Sequence, residues 1–184
     1  MVRITGLTIE RFESLYWADR ADYDSGALTG KTFFEKIARE AGLKLSGSAI
    51  DELIHWDARM WMNVNAVMLA WQLKLKQRGL LTAIVSNMGD AVLHAMEREF
   101  DWLSQFDVLV WSYQLRIAKP NPAIYRYVLD KLRTRPEETL FIDDRKPNVD
   151  AALDIGMKGI VFTNVGALRA DLISSHLDQE LSLP

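Results

Sequence analysis

The chain has 184 residues, 49% apolar and 26% charged, with a formal net charge of −3 and no cysteine. This is enough for one large domain, or for a core with a small second unit. The composition excludes disulfides, thiolate nucleophiles and zinc–thiolate sites, offers no basic stripe for nucleic acid, and holds no apolar run long enough to span a bilayer. The residues after Arg3 are Ile4-Thr5-Gly6 rather than an apolar leader core, so a cytoplasmic protein is expected.

In chain order, residues 8 to about 80 read as successive helices. Thr8 can cap the first, without a full capping box because Arg11 stands where an acid or Gln is needed. Phe12, Leu15, Tyr16 and Tyr23 fall on one face, and Asp24-Ser25-Gly26 ends it. A second helix follows Thr29-Gly30-Lys31-Thr32, with Phe33, Phe34, Ile37 and Ala38 apolar and Gly42 as its stop. Ser46 or Ser48 caps a third, carrying Ile50, Leu53 and Ile54. A fourth runs from near Asn65 to Arg78, with Val67, Met68, Trp71 and Leu75 aligned and Gly79 after it.

From Leu80 the rhythm changes. Residues 81–85, 106–111, 139–142 and 160–162 read as strands, alternating with helices over 90–99, 122–132, 149–155 and 167–177. Such alternation predicts a parallel sheet with helices on both faces. The expected organisation is a helical cap unit at 1–79 and an α/β core at 80–184.

Three features fall at or near strand ends, where open α/β sheets bind ligands. Ser86-Asn87 follows the first strand and can donate to an anionic oxygen; the plain alternative is a turn or a helix cap. Lys119 lies in Ile117-Ala118-Lys119-Pro120-Asn121-Pro122, where apolar and proline neighbours argue against a solvated side chain. Its point charge suits a phosphate and a nearby carboxylate. Phe141-Ile142-Asp143-Asp144, with Asn148 beyond, puts two acids at the end of a buried strand. Like charges so close raise each other's pKa unless a cation offsets them, and hard oxygen ligands suit magnesium. The alternative is a pair of acids capping the next helix. His55, His94 and His176 are scattered and form no ligand pattern, and Met60-Trp61-Met62 fits helix core better than a pocket lining.

Ile84-Val85-Ser86-Asn87, then Ala118-Lys119-Pro120-Asn121-Pro122-Ala123-Ile124-Tyr125, then Phe141-Ile142-Asp143-Asp144 with Asn148, Ala151-Ala152 and Gly156-Met157, resembles motifs II, III and IV of the haloacid dehalogenase superfamily. Tyr23 to Gly30 and the helix after it are similar to the helical cap of the subgroup that inserts its cap after the first strand. The resemblance implies a three-layer Rossmann-like parallel sheet with a helical-bundle cap, and magnesium-dependent phosphatase chemistry on small phosphorylated metabolites. By that resemblance Ser86 and Asn87 hold the phosphoryl group, Lys119 neutralises it, Asp144 is the direct metal ligand with Asp143 beside it, and Asn148 orients the ligands from behind. The paired acids favour this metal-using branch over dehalogenases.

One part of the family pattern is missing. Its motif I is a strand ending in Asp-x-Asp whose first Asp is the nucleophile. The only such triplet here is Asp22-Tyr23-Asp24, in a helical pattern with no strand before it. The chain therefore reads as starting after motif I, so the core lacks its usual first, central strand. Three repairs are open: the flanking strands pair directly, Val2-Arg3-Ile4-Thr5 fills part of the gap, or a second copy covers it in a homodimer. Loss of a nucleophile costs on the order of a millionfold in rate, and a site without its motif I ligands binds magnesium poorly. Two readings follow: a hydrolase by family that is inactive as this chain, or a non-catalytic binding or assembly module. A start codon placed too late would produce the same sequence.

Overall fold

The computed structural model describes residues 1–183. It is an α/β structure, mostly helical, with four short strands among the described residues. Two compact units divide the chain: one is Met1–Asn63, Ser86–Leu103 and Trp111–Ala118, and the other is Val64–Val85, Ser104–Val110 and Lys119 onward. Among the described residues no helix is long and apolar enough to cross a membrane.

The first unit is helical: α1 (Val2–Thr5), α2 (Ile9–Ala18), α3 (Arg20–Asp24), α4 (Gly30–Glu40) and α5 (Gly47–Met60), joined by α7 (Asp90–Glu99) and α8 (Ser112–Leu115). Thr8, Thr29 and Ser46 cap α2, α4 and α5 by accepting backbone N–H groups, and Thr29 with Thr32 forms a reciprocal box. The apolar faces predicted from spacing meet in one cluster of Phe12, Leu15, Tyr16, Tyr23, Phe33, Phe34, Ile37, Ala38, Ile50 and Leu53. Tyr23 stacks on Phe33 with ring centroids 4.8 Å apart.

Two expectations change in this unit. The single helix read from Thr8 past Tyr23 is broken at Asp19, which leaves helical geometry (φ −116°, ψ 15°) and pairs with Lys36 at 2.6 Å. Val2–Thr5 is a helix and not a gap-filling strand. Gly6 closes it at φ 69°, and Met1, Val2 and Ile4 pack on the cluster.

A polar group lies inside the first unit. Asp57 is fully buried, accepts from the Tyr16 hydroxyl at 2.6 Å and pairs with Arg20 at 3.2 Å. Arg20 also pairs with Asp24 at 2.8 Å, donates to the Tyr16 hydroxyl, and lies over the Trp61 ring. Burial raises the Tyr16 phenol well above its ordinary range, and the negative charge of Asp57 adds to that.

The second unit contains α6 (Ala66–Gln77), the body of β1 (Ala83–Ser86) and β2 (Val108–Trp111), α9 (Pro122–Leu132), β3 (Leu140–Asp143), α10 (Lys146–Asp154), β4 (Lys158–Val161) and α11 (Val165–Ser174). Helix α6 lies here, although its sequence position sets it with the cap helices. Its Trp71 and Leu75 pack with Ile160, Leu168 and Leu172, and Trp71 Nε1 donates to Leu181 O at 3.1 Å. Burying each such side chain contributes about 1.5–3 kcal/mol, which fixes where the helix belongs.

The strands form two separate sheets, β1 with β2 and β3 with β4. The β3–β4 ladder is parallel, pairing Leu140 with Lys158 and Asp143 with Val161. Direct pairing of β1 with β3, one repair considered above, does not occur among the described residues. Strand β4 begins at Lys158, earlier than expected, and includes Gly159. A Cβ there would lie 2.7 Å from Val149 Cγ1, so the missing side chain lets α10 lie close against the strand.

Candidate active site

Lys119 sits in the loop before α9, whose first residue is Pro122. The two prolines and the Asn121 cap, which accepts from Ala123 N at 3.0 Å, fix this loop. They turn the lysine inward: its side chain is 9% exposed. Its ammonium donates to Asp143 Oδ2 at 2.7 Å and to the backbone carbonyl of Val85 at 2.6 Å, and lies over the Phe141 ring at 5.6 Å.

Asp143 is the last residue of β3 and is buried. Its Oδ1 accepts from Arg145 N at 2.9 Å and from Asn148 Nδ2 at 2.8 Å. The first bond is an Asx-type turn that bends the chain into α10; the second ties strand to helix. With Lys119 on Oδ2, both oxygens are committed to protein donors. Asp143 thus anchors the lysine and the α10 entry. Asn148 is buried and held in turn by Tyr125, whose hydroxyl donates to Asn148 O at 2.8 Å. Tyr125 also packs edge-on to Phe141 at 5.1 Å. Burial raises the Tyr125 phenol above its ordinary value, and Asp143 adds a smaller push.

Asp144 is exposed one residue further on. The structure therefore brings together Lys119, Asp143 and Asn148 and leaves Asp144 facing solvent. Ser86 ends β1 directly after Val85, and Asn87 opens the loop to α7. Both are half-buried and fall in the first unit. There the following turn is pinned: Met88 N donates to Ser112 Oγ at 3.0 Å, and that hydroxyl donates to Asp24 O at 2.5 Å. Asp22-Tyr23-Asp24 lies within or at the end of α3, with Asp24 paired to Arg20. It is not a strand-end nucleophile.

Magnesium is held by one or two carboxylates together with waters and substrate oxygens. Among the described residues no group of three or more His, Cys, Asp or Glu could hold a metal. Asp143 already accepts three hydrogen bonds, so Asp144 is the freer acid of the pair. These residues do not by themselves make a resident magnesium centre. Sequence reasoning missed the Val85 carbonyl, the Arg145 amide and Tyr125. The spacing of Asp143 to Arg145 carried the Asx-turn signal; the other two contacts depend on packing.

A model of haloacid dehalogenase-like hydrolases matches residues 5–156. The chain belongs to that family. Bifunctional epoxide hydrolase 2 of Rattus norvegicus is 37% identical over 144 residues, covering 74% of this chain and 26% of the relative. The chain therefore spans about a quarter of the length of that relative. Flavin mononucleotide hydrolase 1 of Arabidopsis thaliana is 40% identical over 79 residues, 41% of this chain and 31% of the relative. Among solved structures, a haloacid dehalogenase family enzyme of Bacteroides thetaiotaomicron superposes with a TM-score of 0.74 at 23% identity, covering 90% of this chain and 85% of that one. That enzyme has also been crystallised with magnesium and inorganic phosphate. The structural likeness confirms the Rossmann-like fold expected for the family.

Proposed function

We propose that this haloacid dehalogenase-like hydrolase is of the phosphatase type and acts on phosphate monoesters of small metabolites. The observation that carries the reading is the buried Lys119 ammonium, held at the ends of β1 and β3 by Val85 O and Asp143. A positioned cation at strand ends suits an anionic, phosphate-bearing substrate. The flavin mononucleotide hydrolase, and a phosphorylated carbohydrates phosphatase of Thermotoga maritima that is 38% identical over 63 residues, support phosphate as the group recognised. In this reading Lys119 neutralises the phosphoryl oxygens, and Asp143 with Asn148 keeps the lysine in place. Phosphoryl transfer asks chiefly for such positioning and charge stabilisation.

Turnover by this chain alone is proposed to be slow. The carboxylate beside Lys119 has both oxygens engaged by protein donors, so it is a poor nucleophile. The second reading, a non-catalytic binding or assembly module, draws on the two unjoined sheets. Hydrolysis of p-nitrophenyl phosphate, with and without magnesium, tests the choice. Turnover that Lys119→Ala and Asp144→Ala abolish establishes the phosphatase and ends the binding-module reading. No turnover at any magnesium concentration removes the enzyme claim for this chain.

A further inference from the structure

Helices α5 and α7 carry the same order of side chains. Along α5 stand Asp51, His55 and Arg59; along α7 stand Asp90, His94 and Arg98. Steps of four residues put each triplet on one helix face. The two faces share one groove of about 390 Å³, which all six residues line and which lies wholly inside the first unit. His55 and His94, scattered in the sequence, are brought together there. Ala58 and Ala95 supply a buried apolar floor. The volume is that of a small-molecule site. Most acids of the groove are committed to the protein. Asp90 Oδ1 accepts from Gly30 N at 2.9 Å and from Ala91 N at 2.8 Å, and Glu99 pairs with Arg59 at 2.7 Å. Only Asp51 has no such partner among the described residues. The donors are freer. Arg98, His55 and His94 make no hydrogen bond or ion pair among the described residues, and Lys31 reaches only Glu35, at 4.0 Å. No group of three or more His, Cys, Asp or Glu among the described residues could hold a metal, so these side chains do not form a cation centre.

We propose that this groove binds a small organic oxyanion, its phosphate or carboxylate head held by Arg98, His55 and His94 and its apolar body resting on Ala58 and Ala95. A guanidinium presents paired N–H groups in one plane, which fit two oxygens of such a head. An imidazole donates one N–H even when neutral, so each histidine can add a hydrogen bond. A concave wall of donors over an apolar floor strengthens the attraction, because little water screens it there. A cationic ligand would instead meet Arg98 and Lys31 with only Asp51 to offset them. The groove shares no residue with the Lys119 centre, so the proposal stands apart from the hydrolase reading.

The probes are phenylphosphonate, benzoate and neutral benzyl alcohol, each added to the full chain, free of any tag, at fixed pH and ionic strength. Nuclear magnetic resonance follows the carbon-bound imidazole protons. The chain has three histidines, and His176, in the second unit, is the internal reference. The expected result is a saturable shift of His55 and His94 with half-saturation at about 1 mM or below for at least one of the two anions. The tighter anion names the head group. Benzyl alcohol gives no saturable shift, and His176 stays where it is. Arg98→Gln and His94→Gln change exposed side chains and should weaken binding about tenfold, with His55 still reporting. The comparison of the three probes needs no variant. Imidazoles of His55 and His94 that stay unmoved up to about 10 mM of both anions overturn the proposal. Binding of the phosphonate at Lys119 alone gives that same result, so this failure leaves the hydrolase reading intact. Equal shifts with benzyl alcohol, shifts shared by His176, or unchanged affinity in Arg98→Gln overturn it as well.

Discussion

The ammonium of Lys119 hydrogen-bonds the backbone carbonyl of Val85 at 2.6 Å while it pairs with Asp143 at 2.7 Å. A side chain thus occupies a carbonyl that an inner strand would give to its neighbour. The contact has a stability consequence. Lys119→Met leaves a buried carboxylate without its cation, and breaking a buried pair from one side costs about 3–5 kcal/mol. Urea unfolding of the variant measures this; a loss below about 1 kcal/mol would show that the pair is not a buried anchor.

The adjacent acids should separate cleanly. Asp143→Asn disturbs a carboxylate engaged by Lys119, Arg145 N and Asn148, and should cost about 2–3 kcal/mol. Asp144→Asn changes an exposed side chain and should stay within about 0.5 kcal/mol. Paired denaturation curves check the split. Equal losses at the two positions would contradict the assigned roles.

In the first unit, Asp57→Ala leaves Arg20 and the Tyr16 hydroxyl without their shared acceptor. The expected cost is about 3 kcal/mol. Tyr16→Phe removes one hydroxyl from the same group and should cost about 1 kcal/mol. A double-mutant cycle reads their coupling, and additive losses would show that the hydrogen bond between them contributes little.

Gly89 is a steric requirement. A Cβ at this position would stand 2.1 Å from the Tyr23 ring, which is fully buried and stacked on Phe33. The ring has no room to yield, so Gly89→Ala should destabilise by about 1–3 kcal/mol through overpacking. Gly89→Ala combined with Tyr23→Leu should recover part of the loss in thermal melts.

The acid limb of stability should include Asp107. Burial pushes its carboxyl up, but the Thr82 amide and Lys76 outweigh burial and hold it below its ordinary value of 3.8. A depressed folded-state pKa means that its contribution is complete above that value and fades as pH falls through the folded pKa. Asp107→Asn should therefore narrow its stability deficit as pH drops from 6 toward about 3. A deficit that stays constant over that range would remove Asp107 from the acid response.

The alternation of strands and helices, the helix caps and the apolar faces of α2, α4 and α5 were legible because each is a local pattern with a fixed period. Lys119, Asp143 and Asn148 were legible as a group through family motifs, and the structure adds how they touch. The break at Asp19 was hidden because the residue that pairs with it there, Lys36, lies seventeen positions along the chain. The placement of α6 was hidden for a similar reason. Its partners Ile160, Leu168 and Leu172 lie far downstream, and an apolar stripe does not name what it packs on. The Arg20–Asp57 pair gave no signal, since neither residue type is commonly buried.

Helix α6 also bears on how this molecule can be cut. The chain passes back and forth between its two units, so neither unit is a continuous stretch of sequence. A break after Gly79 would leave Trp71 and Leu75 on one fragment and their packing partners on the other. Fragments made there would expose complementary greasy surfaces. They should stick to each other or precipitate, and should not behave as two independent proteins.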